Sequence, residues 1–100
     1  MREPAEVRPV QPPVLEVFGE VPPGVYHQLE EGTELGYREG WDMRTICREV
    51  YHRARSFGYA ATIAVRRVED EAAQEGRLRL QVRLTPTALQ RGRFRFRTGA

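Results

Sequence analysis

Two stretches in the C-terminal half of the chain alternate between arginine and mostly apolar residues. Residues 77–84 read Arg-Leu-Arg-Leu-Gln-Val-Arg-Leu, and residues 93–97 read Arg-Phe-Arg-Phe-Arg. Successive side chains of a β-strand point to opposite faces of a sheet, so each stretch has one apolar face and one guanidinium face. The pattern predicts strands over residues 77–85 and 93–97.

An earlier segment carries the period of an α-helix. Asp42 can cap its start, and Gly58 suits the left-handed position that follows a helix end. Glu49 and Arg53 stand four residues apart, a spacing that stabilises a helix. The pattern predicts a helix over residues 42–57. Its apolar side chains fall within one arc of about 100°, and they are Met43, Ile46, Cys47, Val50, Ala54 and Phe57.

After the helix the period changes from 3.6 to two residues, which predicts a strand over residues 59–68. Its inward residues are Ile63 and Val65, and its outward residues are Thr62, Ala64 and Arg66. An acidic loop at 69–76 leads to the next strand, and strands that follow one another in this way usually pair antiparallel. We therefore predict an α+β fold, with one main α-helix packed on a small antiparallel sheet of about three strands.

The N-terminal part is harder to interpret. Residues 1–24 hold six of the seven prolines, which predicts an extended arm. Residues 14–18 could add a short strand at the sheet edge or on a neighbouring subunit. Residues 25–41 contain three glycines and several acidic residues, and we expect a turn-rich loop with one helical turn. The domain prediction is an arm at 1–24 and a single α+β domain at 25–100.

Composition narrows the class of protein. Hydrophobic residues make up 40% of the 100 residues and charged residues 30%, as in a globular domain. No apolar run approaches the roughly 20 residues of a membrane span. The single cysteine excludes an internal disulfide. We expect a soluble cytoplasmic protein with no membrane partner.

Charge is distributed unevenly along the chain. All sixteen basic residues are arginine. Residues 1–50 carry five arginines and ten acidic residues, whereas residues 51–100 carry eleven arginines and four acidic residues. Such asymmetry indicates an anionic partner or self-association.

The outward parity of the predicted strands collects arginines on the open face of the sheet. Guanidinium groups hold phosphate through paired hydrogen bonds, so this face is a candidate nucleic-acid-binding surface. Phe94 and Phe96 take the inward parity, and without outward aromatics we expect duplex rather than single-stranded nucleic acid. The candidate residues are Arg66, Arg79, Arg83, Arg93, Arg95 and Arg97, with a secondary helix stripe of Arg44, Arg48, His52 and Arg55.

Catalytic patterns are weak. Cys47 and His52 lie about 140° apart around the helix and cannot form a nucleophile–base pair. His27 stands near Glu30 and Glu31, but no second histidine or cysteine follows at the spacing of metal ligands. The acidic residues at 69–75 suit a charged hairpin tip. We predict no enzyme activity, no catalytic residue, no metal and no cofactor.

The main functional hypothesis is a small, non-enzymatic, homo-oligomeric nucleic-acid-binding protein. The alternative is a structural or protein-interaction subunit, in which an acidic segment of a neighbouring chain neutralises the arginine face. An accessory protein of a phage or mobile element is compatible with either role.

Overall fold

Two helices lie on one side of a three-stranded sheet in the computed structural model, which describes residues 6–68 and 77–88. The α+β class is confirmed. The predicted strand at 93–97 and the acidic loop at 69–76 lie outside the described residues, and the division into an arm and a domain stays a prediction. In chain order the elements are β1 (Val14–Phe18), α1 (Pro23–Glu39), α2 (Met43–Ser56), β2 (Tyr59–Arg67) and β3 (Leu78–Pro86).

The sheet is mixed, with the strand order β1-β3-β2. β2 pairs antiparallel with β3, as predicted, whereas β1 pairs parallel with β3. The prediction of a purely antiparallel sheet is therefore wrong. A parallel pair needs a long crossover connection, and here α1, α2 and β2 all lie between the two parallel strands. β1 thus forms an edge strand within its own chain.

The segment that we expected to be a loop is the helix α1. Pro23 suits a first helical position because its missing N–H would be unpaired there anyway, and Gly40 ends the helix with φ 74°. Gly32 and Gly36 stand four residues apart and are buried on one face. A Cβ atom at Gly36 would overlap Cγ1 of Ile46. The glycines therefore allow α1 to approach α2 closely, which outweighs their poor helix propensity of about 1 kcal/mol each.

α2 confirms the second helix prediction. The Asp42 carboxylate accepts hydrogen bonds from the Thr45 amide at 2.9 Å and the Thr45 hydroxyl at 2.7 Å. These bonds hold the pKa of Asp42 below its usual value. Gly58 follows the helix with φ 87°, the left-handed conformation expected there. The predicted apolar stripe supplies four fully buried side chains, Met43, Ile46, Val50 and Ala54.

The hydrophobic core lies between the helices and the inner face of the sheet. Leu78, Leu80 and Val82 of β3 pack in one cluster with Val25 and Leu29 of α1 and with the buried stripe of α2. Ile63, Val65 and Leu84 pack against this cluster from its margin, as their inward parity predicted. The even-numbered residues of β3 are therefore covered, and its odd-numbered residues face away from the helices.

Arg53 joins the two helices through polar contacts. Its Nε donates to Glu49 at 2.7 Å, which confirms the pair predicted four residues apart. Its Nη1 donates to the backbone oxygen of Gln28 at 3.2 Å and lies 3.5 Å from Oε2 of Glu31. Gly32 lies beside this side chain, since a Cβ there would be 3.0 Å from Cδ of Arg53. The two helices therefore approach closely at the same place where Arg53 forms hydrogen bonds to both of them.

We predict that Gly36→Ala lowers the free energy of unfolding by about 1–3 kcal/mol, because the added methyl group cannot fit between α1 and α2. Gly24→Ala is the matched control in the same helix, where an added Cβ meets nothing within 4 Å. This control should be neutral or stabilising by up to about 1 kcal/mol. Urea unfolding followed by circular dichroism measures both, and equal effects would contradict the close helix contact.

Candidate nucleic-acid interface

The strand register places three of the candidate arginines on the outer face of the sheet. Arg66 of β2 stands directly opposite Arg79 of β3, and Thr62 stands opposite Arg83. Opposite residues in a sheet point to the same side, so the three arginines share one face. Arg93, Arg95 and Arg97 lie outside the described residues. We name this surface, with Arg66, Arg79 and Arg83 as its described arginines, the arginine face.

β1 adds three more side chains to the arginine face, and their identities change its chemistry. In the parallel register Val14 is opposite Arg79, Glu16 is opposite Gln81 and Phe18 is opposite Arg83. Gln81 donates from Nε2 to the Glu16 carboxylate at 3.1 Å. The face thus carries one carboxylate and one aromatic ring besides its arginines.

Phe18 corrects the prediction that the outward face lacks aromatic residues. The ring is 40% exposed, and Cζ of Arg83 lies 5.7 Å from its centroid, within the range of a cation–π contact. In a strand over residues 14–18, the period of two puts Phe18 on the same face as Val14 and Glu16. It could not show which face of the sheet that would be, because the pairing with β3 decides it.

Arg79 is the most enclosed arginine of the face. Its Nε is buried and has no hydrogen-bond partner among the described residues. An unpaired buried donor costs about 1–3 kcal/mol, and a bound anion would remove that cost. Arg77, directly before the same strand, instead donates from Nε to the backbone oxygen of Pro12 at 2.7 Å. The buried, unpaired Nε is therefore that of Arg79.

Acidic residues of the N-terminal half lie mostly on the helical side of the domain. The ion pairs within residues 6–68 and 77–88 use Glu6, Glu30, Glu31 and Glu49, and none includes Arg66, Arg79 or Arg83. The only acidic residue brought to the arginine face by the described strands is Glu16. The described part of the acidic half therefore leaves the arginine face open.

A cleft of about 510 Å³ lies at the end of the sheet where β1 and β3 begin. Glu30 and Glu34 of α1 line it together with Arg79 of β3 and with Arg77, which directly precedes that strand. The carboxylates thus approach the end of the arginine face, yet no ion pair within 4 Å joins them to either arginine in the described chain. The cleft places opposite charges near one another without neutralising Arg79.

The secondary basic stripe lies on the exposed side of α2. Arg44, Arg48, His52 and Arg55 are all exposed. Arg44 lies 3.9 Å from Glu6, and the His52 ring meets Tyr51 edge to face at a centroid distance of 5.7 Å. The opposite side of α2 packs into the core. The structure therefore separates this stripe from the arginine face by the thickness of the domain.

Groups that could support catalysis are dispersed in the described chain. Within residues 6–68 and 77–88, no three His, Cys, Asp or Glu side chains converge as a metal site would require. His27 lies 3.4 Å from Glu30 on the exposed surface of α1 and meets the Tyr26 ring edge to face. The helices of these residues also lack the length and apolar character needed to cross a membrane.

Cys47 packs against the core, and burial raises the pKa of its thiol to about 11, with a smaller contribution from the Asp42 carboxylate. The folded protein therefore keeps the thiol protonated where an unfolded chain, with a pKa of 9.0, begins to ionise. Between these two values rising pH favours unfolding, because only the unfolded thiol releases its proton.

We predict that Cys47 of the folded protein reacts with iodoacetamide at about pH 8 at least roughly tenfold more slowly than the same residue in the urea-unfolded chain, because thiolate is the nucleophile. Mass spectrometry at timed intervals measures both rates. Equal rates would show an accessible, ionisable thiol and would reopen a nucleophilic role.

Comparison with known proteins does not indicate a function, so the functional proposal depends on the geometry described above. No protein-family model, curated protein or solved structure matches the chain.

Proposed function

We propose that this protein binds nucleic acid through the arginine face and performs no catalysis. Arg66, Arg79 and Arg83 contact backbone phosphates. Arg93, Arg95 and Arg97 lie outside the described residues and stay candidates on their sequence pattern. The helix stripe on the far side of the domain is a secondary surface, since one straight nucleic-acid molecule cannot reach both sides at once.

The observation that carries this proposal is the lack of internal neutralisation of the arginine face. Three guanidinium groups share one side of a small sheet, and no described carboxylate forms an ion pair with them. The buried Nε of Arg79 also lacks a hydrogen-bond acceptor in the described chain. A phosphate supplies the negative charge that the three guanidinium groups lack and acceptor oxygens for their accessible N–H groups.

The choice between duplex and single strand does not follow from phosphate contacts, because both ligands present them. The sequence favours duplex only if the outward face of the sheet has no aromatic residue. Phe18 removes that reason, so phosphate binding is proposed for both forms.

A second candidate function, an interaction subunit of a larger assembly, is favoured by the distribution of charge. Exposed carboxylates such as Glu31 and Glu39 belong to α1 in the helical layer and do not line the cleft beside Arg79. Contact between the acidic side of one copy and the arginine face of the next would neutralise both. Such head-to-tail contacts build rings or filaments.

We predict that Arg79→Met with Arg83→Met weakens binding to labelled oligonucleotides and reduces the slope of log affinity against log salt by roughly 1.5 to 2 units. Methionine keeps the apolar stem and removes the charge. Fluorescence anisotropy across a salt series measures the slope for both duplex and single strand.

The matched control is Arg8→Met with Arg38→Met, which removes two exposed arginines that belong neither to the arginine face nor to the helix stripe. Its slope should stay close to that of the unaltered protein. An equal loss in both double variants would mean that net charge alone attracts the ligand. If Arg79→Met with Arg83→Met changes the molar mass in light scattering but leaves binding intact, the assembly function replaces the proposal.

We also predict that Arg79→Met alone maintains or raises the free energy of unfolding, by up to about 1–3 kcal/mol, because it removes a buried donor without a partner. Urea unfolding in a phosphate-free buffer measures the change. A clear loss of stability would show that Arg79 has a structural partner, and the open phosphate site would be rejected.

A further inference from the structure

The strongest unassigned feature is the pair formed by Phe18 and Arg83. Phe18 ends the edge strand β1, is 40% exposed and belongs to the arginine face. Cζ of Arg83 lies over the ring, 5.7 Å from its centroid, and the exposed fraction of Phe18 shows that part of the side chain stays accessible beside this contact. Thr62 stands on the other side of Arg83 and is also exposed. A flat aromatic surface, a planar cation and a hydroxyl group therefore lie side by side.

Part of the Phe18 side chain is accessible, since the residue is 40% exposed, and the chain bends directly after it. The following residue, Gly19, has φ 93°, and a Cβ built there would meet nothing within 4 Å. The chain thus turns away directly after the ring. A planar ligand could reach Phe18 without displacing another described element.

Unpaired nucleobases stack on aromatic rings and on guanidinium planes, which is how many single-stranded ligands are held on a sheet. A duplex keeps its bases stacked inside the helix and cannot offer one to an exposed ring at the same cost. The arrangement of Phe18 among phosphate-binding candidates matches the needs of a single strand, whose backbone and bases are both accessible.

We infer that the Phe18–Arg83 pair is a stacking site for one unpaired base of single-stranded nucleic acid, with the strand's phosphates bound along Arg79 and Arg66. This inference rests on the proposed function and names its ligand class. Thr62 and Gln81 lie beside the site. The Thr62 hydroxyl can donate or accept a hydrogen bond at the base edge, and the amide oxygen of Gln81 can accept one.

The experiment compares Phe18→Leu with the unaltered protein in fluorescence anisotropy. The probes are a labelled single strand of about ten nucleotides, its duplex, and a strand of equal length with abasic sites throughout. Phe18→Leu should weaken binding to the normal single strand about tenfold, as expected for the loss of one stacked base, and leave its salt slope unchanged. Affinities for the duplex and the abasic strand should change by less than about twofold, since neither offers a base to stack.

Tyr51→Leu is the matched control, because Tyr51 is also 40% exposed but lies on α2. It should leave all three affinities unchanged. A single strand carrying 2-aminopurine adds a direct readout, since stacking quenches its fluorescence in the unaltered protein and not in Phe18→Leu.

The outcomes separate the inference from the proposal beneath it. If the unaltered protein binds all three probes equally and Phe18→Leu changes none of them, the stacking site is rejected and phosphate binding stands. If no probe binds even at low salt, the nucleic-acid function fails as well. If Phe18→Leu weakens all three probes alike, the ring supports the fold of the face rather than a base, which also overturns the inference.

Discussion

The close contact between α1 and α2 is the constraint on which the arrangement of the domain depends. Gly32 and Gly36 leave room on one side of α1, and Ile46 and Arg53 of α2 occupy it. Arg53 then ties the helices together through hydrogen bonds to residues of both. Because the two helices form one layer, they cover the inner face of the sheet together and leave the outer face to solvent.

That division also separates the charges of the protein. The acidic residues of α1 belong to the helical layer, whereas Arg79 and Arg83 of β3 lie on the outer face of the sheet. Without described carboxylates as partners, Arg66, Arg79 and Arg83 repel one another across the sheet, and the buried Nε of Arg79 remains unsatisfied. The same features that make this face a poor contributor to stability make it suitable for a polyanion, a common conflict between stability and function.

β1 adds a hydrogen-bonding group and an aromatic ring to the arginine face. By pairing parallel with β3 it brings Glu16 to Gln81 and Phe18 to Arg83, so hydrogen-bonding groups and an aromatic ring stand among the cations. A purely cationic surface attracts any phosphate backbone, but a ring beside a guanidinium can distinguish an exposed base from a stacked one. The edge strand β1 therefore supplies the side chain by which the arginine face could distinguish nucleic acid with exposed bases from other polyanions.

The sequence by itself determined the elements whose signals are local. Asp42, Gly58 and the apolar stripe between them define α2, and period-two alternation correctly assigned inner and outer residues along β2 and β3. Gly32 and Gly36 led to the prediction of a turn-rich loop because glycine is a turn residue, and only the contact with Ile46 shows that they belong to a helix face. Likewise, alternation grouped Phe18 with Glu16, yet the side of the sheet they occupy depended on pairing with a strand more than 60 residues away. Long-range pairing has no local code, so the tertiary structure alone decided the mixed sheet and the aromatic on the arginine face.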